Sequence, residues 1–142
     1  MTDQPAPGVD AERLNTALRE WFAPWVQSLQ LRVERCALDE VTLRLPFDPA
    51  LCRIGGMVCG QALMAAADTA MVLAIVTRVG DQRPMTTVQL NTSFLKPLAN
   101  QDAWVTARVL RAGKSLVFGE IDIVSVNDGK SVCRASTTYA LL

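Results

Sequence analysis

Histidine is absent from all 142 residues. Its absence excludes Ser-His-Asp and Cys-His catalysis, HExxH metalloprotease sites and every histidine-ligated metal. A charge excess is missing too. Fourteen basic residues balance fourteen acidic ones, so net charge does not mark a nucleic-acid binder. No CxxC pair occurs among Cys36, Cys52, Cys59 and Cys133. Four reduced, mostly buried thiols are expected, with no metal and no cofactor. Residues 1–8 lack both a basic region and an apolar stretch, so they do not read as a signal peptide. A cytoplasmic protein is expected.

What is present points to one folded domain. Half of the residues are hydrophobic and 20% are charged, which suits an ordered core at this length. The charges are uneven: residues 1–71 hold six basic and nine acidic groups, residues 72–142 eight and five. The mildly basic second half hints at an anionic ligand.

Residues 1–8, with two prolines and a glycine, read as a flexible tail ahead of a domain over 9–142. Asp10 is placed to cap a helix running to about Gln27, with Pro24 bending or ending it. Leu14, Leu18, Trp21, Phe22, Trp25 and Val26 recur near helical spacing. Its aromatics either pack on the fold or line a ligand cleft. Leu31 to Leu45 reads as a hairpin turning at Asp39-Glu40. Gly60 to Val79 is apolar almost all round and is closed by Gly80-Asp81. It reaches membrane-spanning length, but Asp68 and the strands around it make it the core helix of a non-membrane protein. Four strand patterns follow: Val88 to Phe94, Ala103 to Leu110, Leu116 to Val126, and Val132 to Leu141. An Asp-Gly hairpin signal joins the last two. The expected fold is α+β: about six antiparallel strands, strongly curved, around one long helix, plus an extra N-terminal helix.

Two features carry chemistry. Asp68 is the lone charged residue between Arg53 and Arg78, set among alanines and methionines. A carboxylate there is costly unless hydrogen-bonded or paired. It is either a polar spot at an exposed window or dimer contact, or a base or nucleophile in a low-dielectric cleft. Gly60 opens the helix, where backbone amides have no intrahelical partner and can donate to a carbonyl oxygen gaining charge. Eight residues of helix rise about 12 Å, so one carbonyl cannot meet both groups in one chain. Two copies of the helix, paired antiparallel, would bring them together twice.

The segment from Gly55 to Ala70 resembles the central-helix motif of hotdog-fold thioesterases, nearest to the phenylacetyl-CoA thioesterase type. The usual pattern is His-Gly-Gly, six residues, then Asp-x-Ala. Cys59 stands at the histidine position, Gly60 at the first glycine, Gln61 at the second, and Asp68 at the acidic one. Thr86 to Pro97, ending Phe94-Leu95-Lys96-Pro97, resembles the strand that follows. The resemblance implies a homodimer, often paired again as a dimer of dimers, with sheets joined edge to edge. It implies hydrolysis of acyl-CoA thioesters at the subunit interface. The Gly60 amide would polarise the thioester carbonyl. Asp68 of the partner would activate water or attack directly. Arg53, Gln61, Asn91 or Ser93 would take over polar contacts to substrate in the absence of histidine.

Arg108, Arg111 and Lys114 form either a solvated sheet edge or a grip on the CoA phosphates, with Arg111 and Lys114 the better placed. The competing reading is a hotdog protein that binds acyl-CoA without hydrolysing it. A dehydratase fits poorly without histidine, and a scaffold role would use Trp21, Phe22 and Trp25.

Overall fold

The computed structural model describes residues 3–80 and 83–142. The chain forms helices α1 (Ala11–Glu20), α2 (Pro24–Gln27) and α3 (Gly60–Val79), with strands β1 (Arg32–Ala37), β2 (Glu40–Leu45), β3 (Met85–Phe94), β4 (Ala103–Ala112), β5 (Leu116–Ser125) and β6 (Ser131–Leu141). All six strands pair antiparallel in one sheet, in the order β1-β2-β4-β5-β6-β3. The sheet wraps α3, which is the α+β architecture expected. The inward residues Val41, Leu43, Val105, Ile121, Ile123 and Tyr139 are buried with Met71, Leu73 and Ile75 of the helix.

Small residues set the closeness of helix and sheet. Ala66, Ala67, Ala70 and Ala74 are fully buried on α3. Gly119 on β5 leaves room for the Met71 side chain; a Cβ there would lie 2.3 Å from its methyl carbon. By length and composition α3 could cross a membrane, but 67% of its apolar window is buried inside this fold. It is not buried all round, as its sequence suggested. Gln61, Met64, Ala65, Asp68 and Val72 form a stripe that lines an open cleft. Asp81, expected to help close the helix, lies outside the described residues.

Three boundaries differ from expectation. The first helix stops at Glu20. Its N-cap is Asp10, whose carboxylate accepts from the Arg13 amide at 2.8 Å. The chain then turns so that Pro24 starts α2, because a proline inside a continuing helix would lose a hydrogen bond and clash with the preceding turn. The β1–β2 turn is Leu38-Asp39, not Asp39-Glu40. Ala37 pairs with Glu40, and Asp39 takes the left-handed conformation at φ 68°. Asp39 is held there by its amide donating to Thr77 Oγ1 and by Arg78. The segment read as a tail is tied to the fold through its backbone: Ala6 N–H donates to Thr77 O, and Asp3 O accepts from Leu38 N–H.

The two sheet edges are unlike. On β1, the Asn15 side chain accepts the Val33 N–H at 2.8 Å, so α1 covers that edge. Among the described residues β3 pairs only with β6 and leaves its other edge open, with Val88, Phe94 and Leu95 exposed.

Candidate active site

The loop before α3 aims its first amides. Arg53 and Met57 bridge backbone to backbone, Cys52 pairs with Val58, and Val58 N–H donates to Leu98 O. Cys59 is the N-cap; its own N–H donates to Leu51 O, and its side chain makes no capping bond. Its carbonyl accepts from Ala62 and Leu63. The amides of Gly60 and Gln61 thus have no acceptor among the described residues. They sit at the positive end of a 20-residue helix. The Phe94 ring covers Gly60 from β3; a Cβ at position 60 would lie 3.1 Å from the ring edge.

Two turns along α3, Asp68 is half-buried at the wall of a cleft of about 370 Å³. Met64, Ala65 and Val72 of α3 line the cleft beside it, and Phe22, Trp25, Val26 and Leu90 complete the lining from other elements. Phe22 and Trp25 therefore line a cleft; Phe22 also packs against the core, whereas Trp25 remains 61% exposed. Trp21 lies outside it, beneath the Arg13 guanidinium.

Hydroxyls from two strands hold the Asp68 carboxylate. Thr87 Oγ1 of β3 donates to Oδ1 at 3.0 Å. Tyr139 Oη of β6 donates to the same oxygen and lies 3.1 Å from the Asp68 carbonyl. Oδ2 has no partner among the described residues. Burial, with the negative charge of Asp68 second, pushes the Tyr139 phenol far above its ordinary range. Neither hydroxyl was singled out in the sequence. Thr87 falls inside the strand motif, but nothing local marks Tyr139.

The structure groups the other expected residues only in part. Gln61 lines the cleft with Asp68. Asn91 and Ser93 do not. Leu90 faces the cleft, so strand alternation puts them on the outer sheet face, exposed, opposite Ser136 and Arg134. Arg53 is turned to the Ile54 carbonyl and the Met57 sulfur. Arg111 and Lys114 are exposed at the β4–β5 turn, with no ion pair among the described residues. Arg108 is committed elsewhere, to Glu40 and Asp122. Arg83 reaches the same turn, its Nη2 donating to the Lys114 carbonyl at 3.5 Å. No cluster of three or more Cys, Asp or Glu side chains suited to a metal occurs among the described residues.

Residues 55–132, just over half of the chain, match the Thioesterase superfamily. The chain belongs to that superfamily. A protein of Thermoplasma volcanium named as a candidate esterase is 31% identical over 114 residues, covering 80% of this chain and 83% of its own. Among solved structures, zebrafish thioesterase superfamily member 2 superposes with a TM-score of 0.85 at 20% identity, over 95% of this chain and 100% of its own. The E. coli PaaI protein of the phenylacetic acid degradation operon gives 0.80 at 17%, over 94% and 96%. These likenesses show the hotdog fold. Superfamily membership sets the general chemistry as that of hotdog thioesterases acting on acyl-CoA-like substrates.

Proposed function

We propose that this thioesterase-superfamily protein hydrolyses acyl-CoA thioesters at a site shared by two copies of the chain. The observation that carries the reading is the Asp68 carboxylate, which lines an apolar cleft with one oxygen tied and the other free. Helix packing gives no reason for a charge there, whereas a general base needs this combination of partial burial and a free acceptor. Oδ2 takes a proton from water as its oxygen adds to the thioester carbon. The Gly60 amide of the other copy stabilises the oxygen that gains charge. The C–S bond then breaks, the sulfur takes a proton, and free acid and CoA leave. The cleft beside Asp68 holds the acyl group.

Two copies are needed because Gly60 and Asp68 stand about 12 Å apart along one helix. The sheet edges support the same arrangement. β1 is covered by Asn15, while β3 offers an open ten-residue edge flanked by exposed apolar side chains. The basic groups Arg111 and Lys114, with Arg83, suit the CoA phosphates.

The test is Asp68→Asn, which keeps size and helix contacts. It should lower kcat across a panel of acyl-CoAs by about 10². Activity within about threefold of the parent overturns the mechanism. Negligible hydrolysis by the parent, with tight acyl-CoA binding, would make the protein a carrier instead.

A further inference from the structure

We propose that Tyr139 is the positioning residue for Asp68, gripping Oδ1 so that Oδ2 alone meets the reacting water. This rests on the role given to Asp68 above.

Tyr139 is the one tyrosine of the chain and is 1% exposed. A phenylalanine would fill the same space on β6, so packing does not explain the hydroxyl. A buried hydroxyl needs a partner, and this one reaches across 71 positions of sequence to the single carboxylate of the cleft. An ionised carboxylate accepts only, so the phenol is the donor. Its raised pKa keeps the proton on the phenol throughout the working pH range. Thr87 donates to the same oxygen from β3.

Two donors on one oxygen, from two strands, hold a side chain that otherwise turns freely about its last bond. The free oxygen then has one direction, toward the cleft. Pre-setting a base in this way matters because small misplacements of a catalytic group cost large factors in rate. The second contact, to the Asp68 carbonyl at 3.1 Å, fixes the phenol to the helix turn that carries the carboxylate.

The full-length protein tests this with decanoyl-CoA and phenylacetyl-CoA, whichever it hydrolyses faster. Tyr139→Phe should lower kcat about tenfold or more and leave KM within about twofold, the pattern of an interaction needed in the transition state. In the Asp68→Asn background the same change should add less than about twofold. A kcat within threefold of the parent, with Asp68→Asn inactive, overturns the proposal and leaves the Asp68 mechanism standing. A further multiplicative loss in the double variant also overturns it. An active Asp68→Asn removes the mechanism, and this proposal with it.

If Tyr139→Phe does not fold, uniform 3-fluorotyrosine labelling changes position 139 alone, acidifying the phenol at nearly constant shape. The expected result is a kcat altered at least about twofold at constant KM. The phenol should also ionise at lower pH once Asp68→Asn removes the neighbouring charge. An unchanged kcat, or an ionisation indifferent to Asp68→Asn, overturns the proposal.

Discussion

The tip of the Phe94 ring lies against Gly60, so close that a methyl group on the Gly60 Cα would stand 3.1 Å from the ring carbon Cζ and 3.3 Å from Cε1. The ring belongs to the open edge strand and is 52% exposed, so it has room to swing. Gly60→Ala should leave the melting temperature within a few degrees of the parent. It should lower kcat about tenfold, because the displaced ring and helix end misplace the amide offered to the substrate. Thermal melting and steady-state hydrolysis check the two halves. A large loss of stability with normal turnover per folded protein would make Gly60 a packing glycine only.

Gly119 faces a harder neighbour. Besides the Met71 side chain, the Arg108 carbonyl would lie 2.8 Å from an added Cβ, and backbone cannot step aside as a methionine can. Gly119→Ala should cost about 1–3 kcal/mol of stability, as overpacked cores do. Trimming Met71 to alanine in the same chain should fail to restore it, since the carbonyl clash remains. Urea unfolding of the parent and the two variants measures this.

Asp102 links stability to pH. Its carboxylate accepts the Phe47 N–H at 2.7 Å and Arg44 Nε at 2.8 Å, and these contacts, the backbone one foremost, hold its pKa below the usual carboxylate value. A lowered folded pKa stabilises the protein above the unfolded value near 3.9, and that contribution fades as pH falls through the lower folded value. Asp102→Asn should therefore cost about 1 kcal/mol at pH 7, and progressively less below about pH 4. Urea unfolding at pH 7, 5 and 3 shows whether the gap closes in that order.

The phosphate grip has a selective signature. Reversing charge at Arg111 and Lys114 should raise KM for acyl-CoA about tenfold and leave a short thioester without the nucleotide nearly unaffected. Added salt should weaken CoA binding to the parent more than to the variant. Equal effects on both thioesters would return these residues to an ordinary solvated turn.

How legible the site was depends on the kind of contact. Asp68 and Gly60 stand out locally, one as a charge in an apolar helix, the other as a glycine at its start. The structure sets both on α3 as its pattern predicts. Reading along the chain set Arg111 and Lys114 ahead of Arg108, but nothing local showed what holds Arg108. Its partners Glu40 and Asp122 come from β2 and β5, on either side of β4. Asn91 and Ser93 fit a strand motif, but the face a strand turns inward depends on what it packs against. The bulge between Thr87 and Gln89 shifts that phase within β3 itself. The cut between α1 and α2 was signalled by Pro24, although the apolar spacing ran through it.

By itself, the sequence determined the elements that rest on local rules. Helix α3 begins at Gly60 and ends at Val79 as its composition indicates, and alternation with turn residues marked every strand to within a few positions. Only the tertiary structure decided which hydroxyls hold the carboxylate, which cleft Trp25 lines and which sheet edge stays open. Tyr139 and Asp68 are 71 positions apart, and no periodicity spans that distance. Their meeting follows from the strand order, which sets β6 and β3 side by side against α3, and strand order is chosen by the burial of the whole core at once.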